Sequence, residues 1–129
     1  PFQNIYFNSF VESKANKLFN IDYWGLANAH SLNKILDIYK DKEEIDLRTA
    51  SFTTLGYSKR IMKRKDLSKL KLQGTVDNKQ EFIFTNYVYE KNPRYEKKYF
   101  ISPDYKKIFT LKKGNIIINE IYKKSDKLK

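Results

Sequence analysis

The chain has a single tryptophan, and it stands in the run Asn20-Ile21-Asp22-Tyr23-Trp24-Gly25-Leu26, just ahead of a helix-like pattern. This run constrains the fold more than any other stretch. Large rings are mostly core, and a buried carboxylate needs hydrogen-bond donors. Gly25 sits where a turn should feed a helix. Ala29, Leu32, Ile35, Leu36 and Tyr39 then recur at helical spacing, which predicts a helix over about 28–39. Ahead of the run, Asn4-Ile5-Tyr6-Phe7-Asn8 reads as part of a strand over 4–10, with Ile5 and Phe7 on one face and Tyr6 on the other. Together these predict a first βα unit closed by a turn and a ring wedge.

The remaining elements follow from pattern and punctuation. Residues 13–19 are polar and read as a loop or a single helical turn. After the charged turn 40–44, residues 45–52 read as a second strand. Ile45 and Leu47 alternate there with Asp46 and Arg48, the pattern of a strand with one wet face at a sheet edge. Ser58 is placed to cap a second helix over about 59–66 that buries Ile61, Met62 and Leu67. Phe82, Ile83, Phe84 and Val88 make 81–89 the most apolar stretch and predict a central strand. The region 91–104, with Pro93 and Pro103, is an irregular excursion. Lys112-Lys113-Gly114-Asn115 signals a hairpin between 106–111 and 116–123. The expected fold is a small α/β domain of two or three layers. It has a βαβαβ parallel part in strand order 2-1-3, followed by an antiparallel hairpin. Residues 1–123 form one domain, and 124–129 a disordered basic tail.

Length and composition agree with one folded unit. A chain of 129 residues buries about two-thirds of its unfolded surface. Ten Tyr, nine Phe and the lone Trp supply much of the 40% hydrophobic content. Net charge is +11, which predicts attraction to phosphate in lipid headgroups, nucleic acid or a phosphorylated substrate. There is no cysteine, so neither a disulfide nor a thiolate metal site is available. No run of 18 apolar residues exists to span a bilayer.

Tyr6-Phe7-Asn8 followed by Asp22-Tyr23-Trp24-Gly25-Leu26 resembles the extracytoplasmic C-terminal domain of bacterial membrane-embedded glycosyltransferases. Their superfamily includes the dolichyl-phosphate-mannose-protein mannosyltransferases. Phe84-Thr85-Asn86-Tyr87 is similar to the family's later strand, and 114–123 to its final hairpin strand. The family often places Ser after Gly-Leu as a helix cap; here that position is Ala27, which leaves Asn28 to cap. The resemblance implies an excised fragment preceded by a multi-span membrane domain, lying on the extracytoplasmic (periplasmic) face of the inner membrane. The family's catalytic acid lies near its first spans. The fragment is therefore expected to be inactive alone, serving to cover the active site or bind acceptor in a polyprenyl-phosphate-sugar-dependent enzyme.

Candidate binding residues each carry two readings. Asp22, Tyr23 and Trp24 are either a carboxylate-and-ring platform for a sugar, or a core wedge in which Asp22 accepts backbone N–H bonds. Lys59, Arg60, Lys63 and Arg64 belong to the densest basic patch, with seven basic residues and one acidic over 57–72. On a helix, Lys59 shares a face with Lys63, and Arg60 with Arg64. They either meet the phosphate of anionic lipid or of a polyprenyl-phosphate-sugar, or form a solvated face. Asn86, polar within an apolar strand, either holds the Pro93 loop or meets a ligand at the carboxyl ends of the parallel strands. No catalytic set and no metal or cofactor site is expected. His30 has no metal-ligand spacing, and neither a Gly-x-Ser-x-Gly nor a phosphate-binding glycine motif is present. A basic-aromatic nucleic-acid-binding module is the alternative; the missing RNP-like signature counts against it.

Overall fold

The computed structural model describes residues 14, 21, 22, 24–72, 74–89 and 97–126. In chain order these form helix α1 (Asn28–Ile38), strand β1 (Ile45–Thr49), helix α2 (Gly56–Ile61), a 3-10 turn (Leu67–Lys69), and strands β2 (Leu70–Lys71), β3 (Phe82–Thr85), β4 (Tyr105–Lys113) and β5 (Ile116–Lys124). The strands make one five-stranded sheet in the order β2-β1-β3-β5-β4. β1 runs parallel to both β2 and β3, and β5 is antiparallel to β3 and β4. The fold is a small α/β domain with a parallel part in the order 2-1-3, completed by an antiparallel hairpin.

The strands filling those places differ from expectation. Residues 45–49 occupy the middle of the parallel trio, the place expected for 4–10, and pair directly with β3 through Leu47↔Phe82 and Thr49↔Phe84. They are therefore not an edge. Asp46 and Arg48 stay half-buried because ion pairs satisfy them: Arg48 Nη1 lies 2.8 Å from Asp77 Oδ2. The flank is taken by β2, whose two residues are too few to leave a periodic signal. The expected strand 4–10 and loop 13–19 fall outside the described residues, apart from Lys14, which lies in a turn.

One face of the sheet carries the main core. Leu32, Ile35 and Leu36 of α1 pack with Ile45, Leu47, Leu70, Phe82, Phe84 and Ile121. Fully burying a Phe or Leu side chain contributes about 1.5–3 kcal/mol, so this cluster dominates stability. The opposite face is covered by Tyr99, near the end of the excursion, and Tyr105 of β4, which pack on Ala50 and Ile83. All four residues of β3 are buried, as expected of a strand packed on both faces. Between β4 and β5, Gly114 adopts φ +58 in the predicted turn. The β4–β5 register shifts at Lys107/Phe109 and again at Leu111/Lys112. β5 continues through Lys124, and the Ser125 N–H bonds to Asp104 O at 2.8 Å. Residues 127–129 of the expected tail lie outside the described residues. Among the described residues no helix is long and apolar enough to cross a membrane.

Candidate functional site

The Asp22 turn is fastened to the domain from several directions. Ile21 and Ala27 bury themselves against Leu111, Ile116 and Ile118 of the hairpin. Asp22 is 5% exposed, and its carboxylate accepts the Leu26 N–H at 2.8 Å and the Ala27 N–H at 2.9 Å. Asp22 and Gly25 both adopt positive φ, 52° and 65°, and the Gly25 N–H bonds back to Asp22 O at 2.8 Å. Gly25 is required twice over: a left-handed φ is costly for other residues, and a Cβ there would meet Asn28 Nδ2 at 2.6 Å. The local-backbone reading of Asp22 holds. Asn28 does not cap α1; Ala27 is the N-cap residue, without a side-chain cap bond, and Asn28 is fully buried.

Asn86 reaches the same turn. Its Nδ2 donates to Asp22 O at 3.3 Å, and its Oδ1 accepts the Val88 N–H at 3.3 Å. The structure thus joins two predicted site residues 64 positions apart. Asn86 ties the end of β3 to the turn; residues 90–96 of the Pro93 loop lie outside the described residues. A third fastening comes from α2, where Ser58 Oγ donates to Gly25 O at 3.4 Å.

What the turn presents departs from the core-wedge reading. Trp24 is 80% exposed and Leu26 59% exposed. The interior places in the turn are taken by Ile21, Asp22 and Ala27, which leaves Trp24 on the outer side. Tyr23 lies outside the described residues. Beside the turn, α2 begins at Gly56 and ends at Ile61, where Met62 turns extended, so it is shorter and earlier than the predicted 59–66. Ser58 is buried inside this helix and does not cap it. Tyr57 and Ile61, one helical turn apart, are each 71% exposed, against the expected burial of Ile61. Met62 and Leu67 pack on the main core as expected.

The early helix end also rearranges the basic patch, since Lys63 and Arg64 lie beyond it and share no helical face with Lys59 and Arg60. Lys59 Nζ donates to Leu70 O at 2.9 Å. Arg64 grips both oxygens of Asp66, at 2.8 and 2.9 Å, and reaches Asp37 Oδ1 at 2.7 Å. The hydrogen bond from Arg64 holds the Asp66 carboxyl below its usual range, and the bonds to Asp66 and Asp37 raise Arg64. Arg64 and Lys59 are therefore committed within the fold. Arg60 lies over the Tyr57 ring, 5.7 Å from its centroid, and Arg60, Lys63 and Lys65 are exposed. One corner thus presents two rings and two aliphatic side chains beside outward cations.

A second polar centre escaped the sequence reading. Glu120, 2% exposed, follows Ile116-Ile117-Ile118-Asn119 in β5, and a carboxylate flanked by isoleucines is the signal the sequence offers. Its Oε2 accepts from the Tyr87 and Tyr122 hydroxyls, the latter at 2.7 Å. Its Oε1 accepts from Lys107 Nζ and Thr110 Oγ1, both at 3.0 Å. Burial works to raise this carboxyl, but the four donors outweigh it and hold the group below its usual range. Burial, with the bond to Glu120, pushes the Tyr87 phenol up. With each oxygen already accepting two bonds and the phenol firmly protonated, the cluster is arranged as a clasp joining β4, β5 and the residues just after β3, and not as an acid–base pair.

No family model, curated protein or solved structure matches the chain.

Proposed function

We propose that this chain is a non-catalytic accessory domain that rests on an anionic membrane surface. In this reading it belongs, as the resemblance implies, to a polyprenyl-phosphate-sugar-dependent membrane glycosyltransferase at the extracytoplasmic face. The observation that carries the reading is Trp24, 80% exposed on a turn held by Asp22, Gly25 and Asn86. Leu26, Tyr57 and Ile61 stand exposed on the same or the adjoining element, with Arg60, Lys63 and Lys65 outward nearby. Indole and phenol rings favour the headgroup level of a bilayer. Apolar side chains inserted just below anionic headgroups, with cations alongside, are the pattern of an interfacial contact.

The lone tryptophan makes the test direct. Excited selectively, the protein should show a blue-shifted emission with phosphatidylglycerol vesicles. Three cations near the surface give a preference over phosphatidylcholine on the order of a hundredfold at low salt. Trp24→Ala should abolish most of the binding while changing stability by no more than about 0.5 kcal/mol, because the ring is exposed. Vesicle binding with no change in Trp24 emission, or no vesicle binding, refutes the proposed face. Sub-micromolar, steeply salt-dependent binding to single-stranded RNA or DNA would favour the nucleic-acid module instead. The coding sequence upstream of Pro1 tests the wider assignment: repeated membrane spans support it, and a short polar leader overturns it.

A further inference from the structure

The carboxyl ends of β1 and β2 open on a crevice of about 380 Å³ whose described lining includes none of the residues of the Trp24 face. Parallel sheets generally hold ligands beyond the carboxyl ends of their strands. The loop after β1 forms one wall of this crevice, and the segment following β2 forms another. Its floor is aliphatic, from Leu47, Leu55 and Leu72. Two rings, Phe52 and Tyr99, line it, Phe52 half-exposed and Tyr99 nearly buried. The polar groups are mainly hydroxyls, from Thr49, Ser51, Thr54 and Thr75. Thr49 Oγ1 and Ser51 Oγ, both buried, lie 2.8 Å apart and share one hydrogen; Thr49 Oγ1 donates more weakly to the Ser51 and Thr53 carbonyls at 3.4 Å, and each hydroxyl keeps acceptor capacity. Thr54 and Thr75 make no side-chain hydrogen bond among the described residues.

This lining narrows the ligand chemistry. A wholly apolar ligand would strip water from the hydroxyls without replacing it. A metal ion would need carboxylates or imidazoles, and none of the described lining residues carries one. A polyphosphate would need several cations or a run of glycine N–H groups, whereas the described lining offers one cation, Lys98, and two glycines, Gly56 and Gly74, on separate segments. A neutral polyol with a carbon-rich face satisfies both halves: ring against C–H surface, and hydroxyl against hydroxyl. From this we infer that the crevice binds a pyranose sugar, its apolar face on Phe52 or Tyr99 and its hydroxyls on Thr49, Ser51, Thr54 and Thr75. The inference stands independently of the membrane face.

The test is a nitrogen-15 NMR titration of the whole chain with methyl α-mannopyranoside, methyl β-glucopyranoside and N-acetylglucosamine, beside cyclohexanol as a ring-sized control. At least one sugar should shift amides confined to 49–56, to Leu72, Gly74 and Thr75, and to 98–99, with an affinity in roughly the millimolar range. Thr75→Val, which keeps the shape and loses the hydroxyl, should weaken binding roughly three- to tenfold. Thr54→Trp, filling the crevice from an exposed position, should abolish it. Trp24→Ala should leave it unchanged, which separates this site from the membrane face. The inference is overturned if no sugar shifts these amides, if the shifts survive Thr54→Trp, or if cyclohexanol binds as tightly as the sugars.

Discussion

Replacing Glu120 by Gln tests whether the buried clasp holds the sheet together. The carboxylate accepts four hydrogen bonds, two on each oxygen, from Tyr87, Tyr122, Lys107 and Thr110. In either orientation a Gln amide turns an NH2 toward two of these donors. The two hydroxyls facing an NH2 can rotate, and Lys107, whose side chain is 51% exposed, can turn to water. The main loss is therefore the charge that strengthens the remaining bonds, together with one unpaired buried position. Net hydrogen bonds to charged groups are worth about 1.5–3 kcal/mol, so Glu120→Gln should cost about 2–3 kcal/mol, a Tm drop of roughly 8–12 °C. Lys107→Met should cost clearly less than Glu120→Gln, because the ammonium end of the pair is solvent-screened. The pH dependence has a definite sign. The folded-state Glu120 is held below its ordinary value, so its contribution is fully present above the unfolded value of about 4.3 and is lost as pH falls through the lower folded value. In urea unfolding, the gap between parent and Glu120→Gln should stay constant from about pH 8 to 5 and close below about pH 4. A gap under about 0.5 kcal/mol at neutral pH, or one that persists unchanged in acid, would show that the four donors do not depend on the charge.

Two further perturbations address the turn beneath Trp24. Asp22→Asn keeps one acceptor but sets an NH2 against a backbone N–H, and should cost about 1–3 kcal/mol in chemical denaturation. Gly25→Ala must adopt φ +65 and displace the Asn28 amide, so a loss of about 2 kcal/mol or more is expected; a neutral result would mean that the turn re-forms elsewhere.

The parts of the fold legible in the sequence were those with a dense local signal. β3 is apolar at consecutive positions, the hairpin has Gly114 and Asn115 at its turn, and α1 has Leu32, Ile35 and Leu36 in step. What was not legible depended on distant partners or on very short elements. β2 spans two residues, and α2 starts at Gly56 without a side-chain cap, so the rule that favours Ser58 as a cap pointed to the wrong residue. Arg48 hid the central position of β1, because a strand flanked on both sides reads as an edge when its polar side chains have found ion pairs. Asp22 was read correctly because its donors lie four and five residues away. Trp24 was expected inside because rings usually are, and only the tertiary placement of Ile21 and Ala27 shows that the interior is already filled. Glu120 carries no local signal of its role, because its donors come from β4, from β5 and from Tyr87 just beyond β3.

Among the described residues, β4 closes one side of the sheet with nine residues whose outer backbone groups pair with no other described strand. A flat run of that length would invite a second molecule to dock alongside and begin a fibre. Here Lys106, Lys107, Lys112 and Lys113 stud the run, and its two register breaks bend it out of the line that a stacked copy would need. The net charge of +11 adds mutual repulsion between copies to these local obstacles against edge-to-edge pairing.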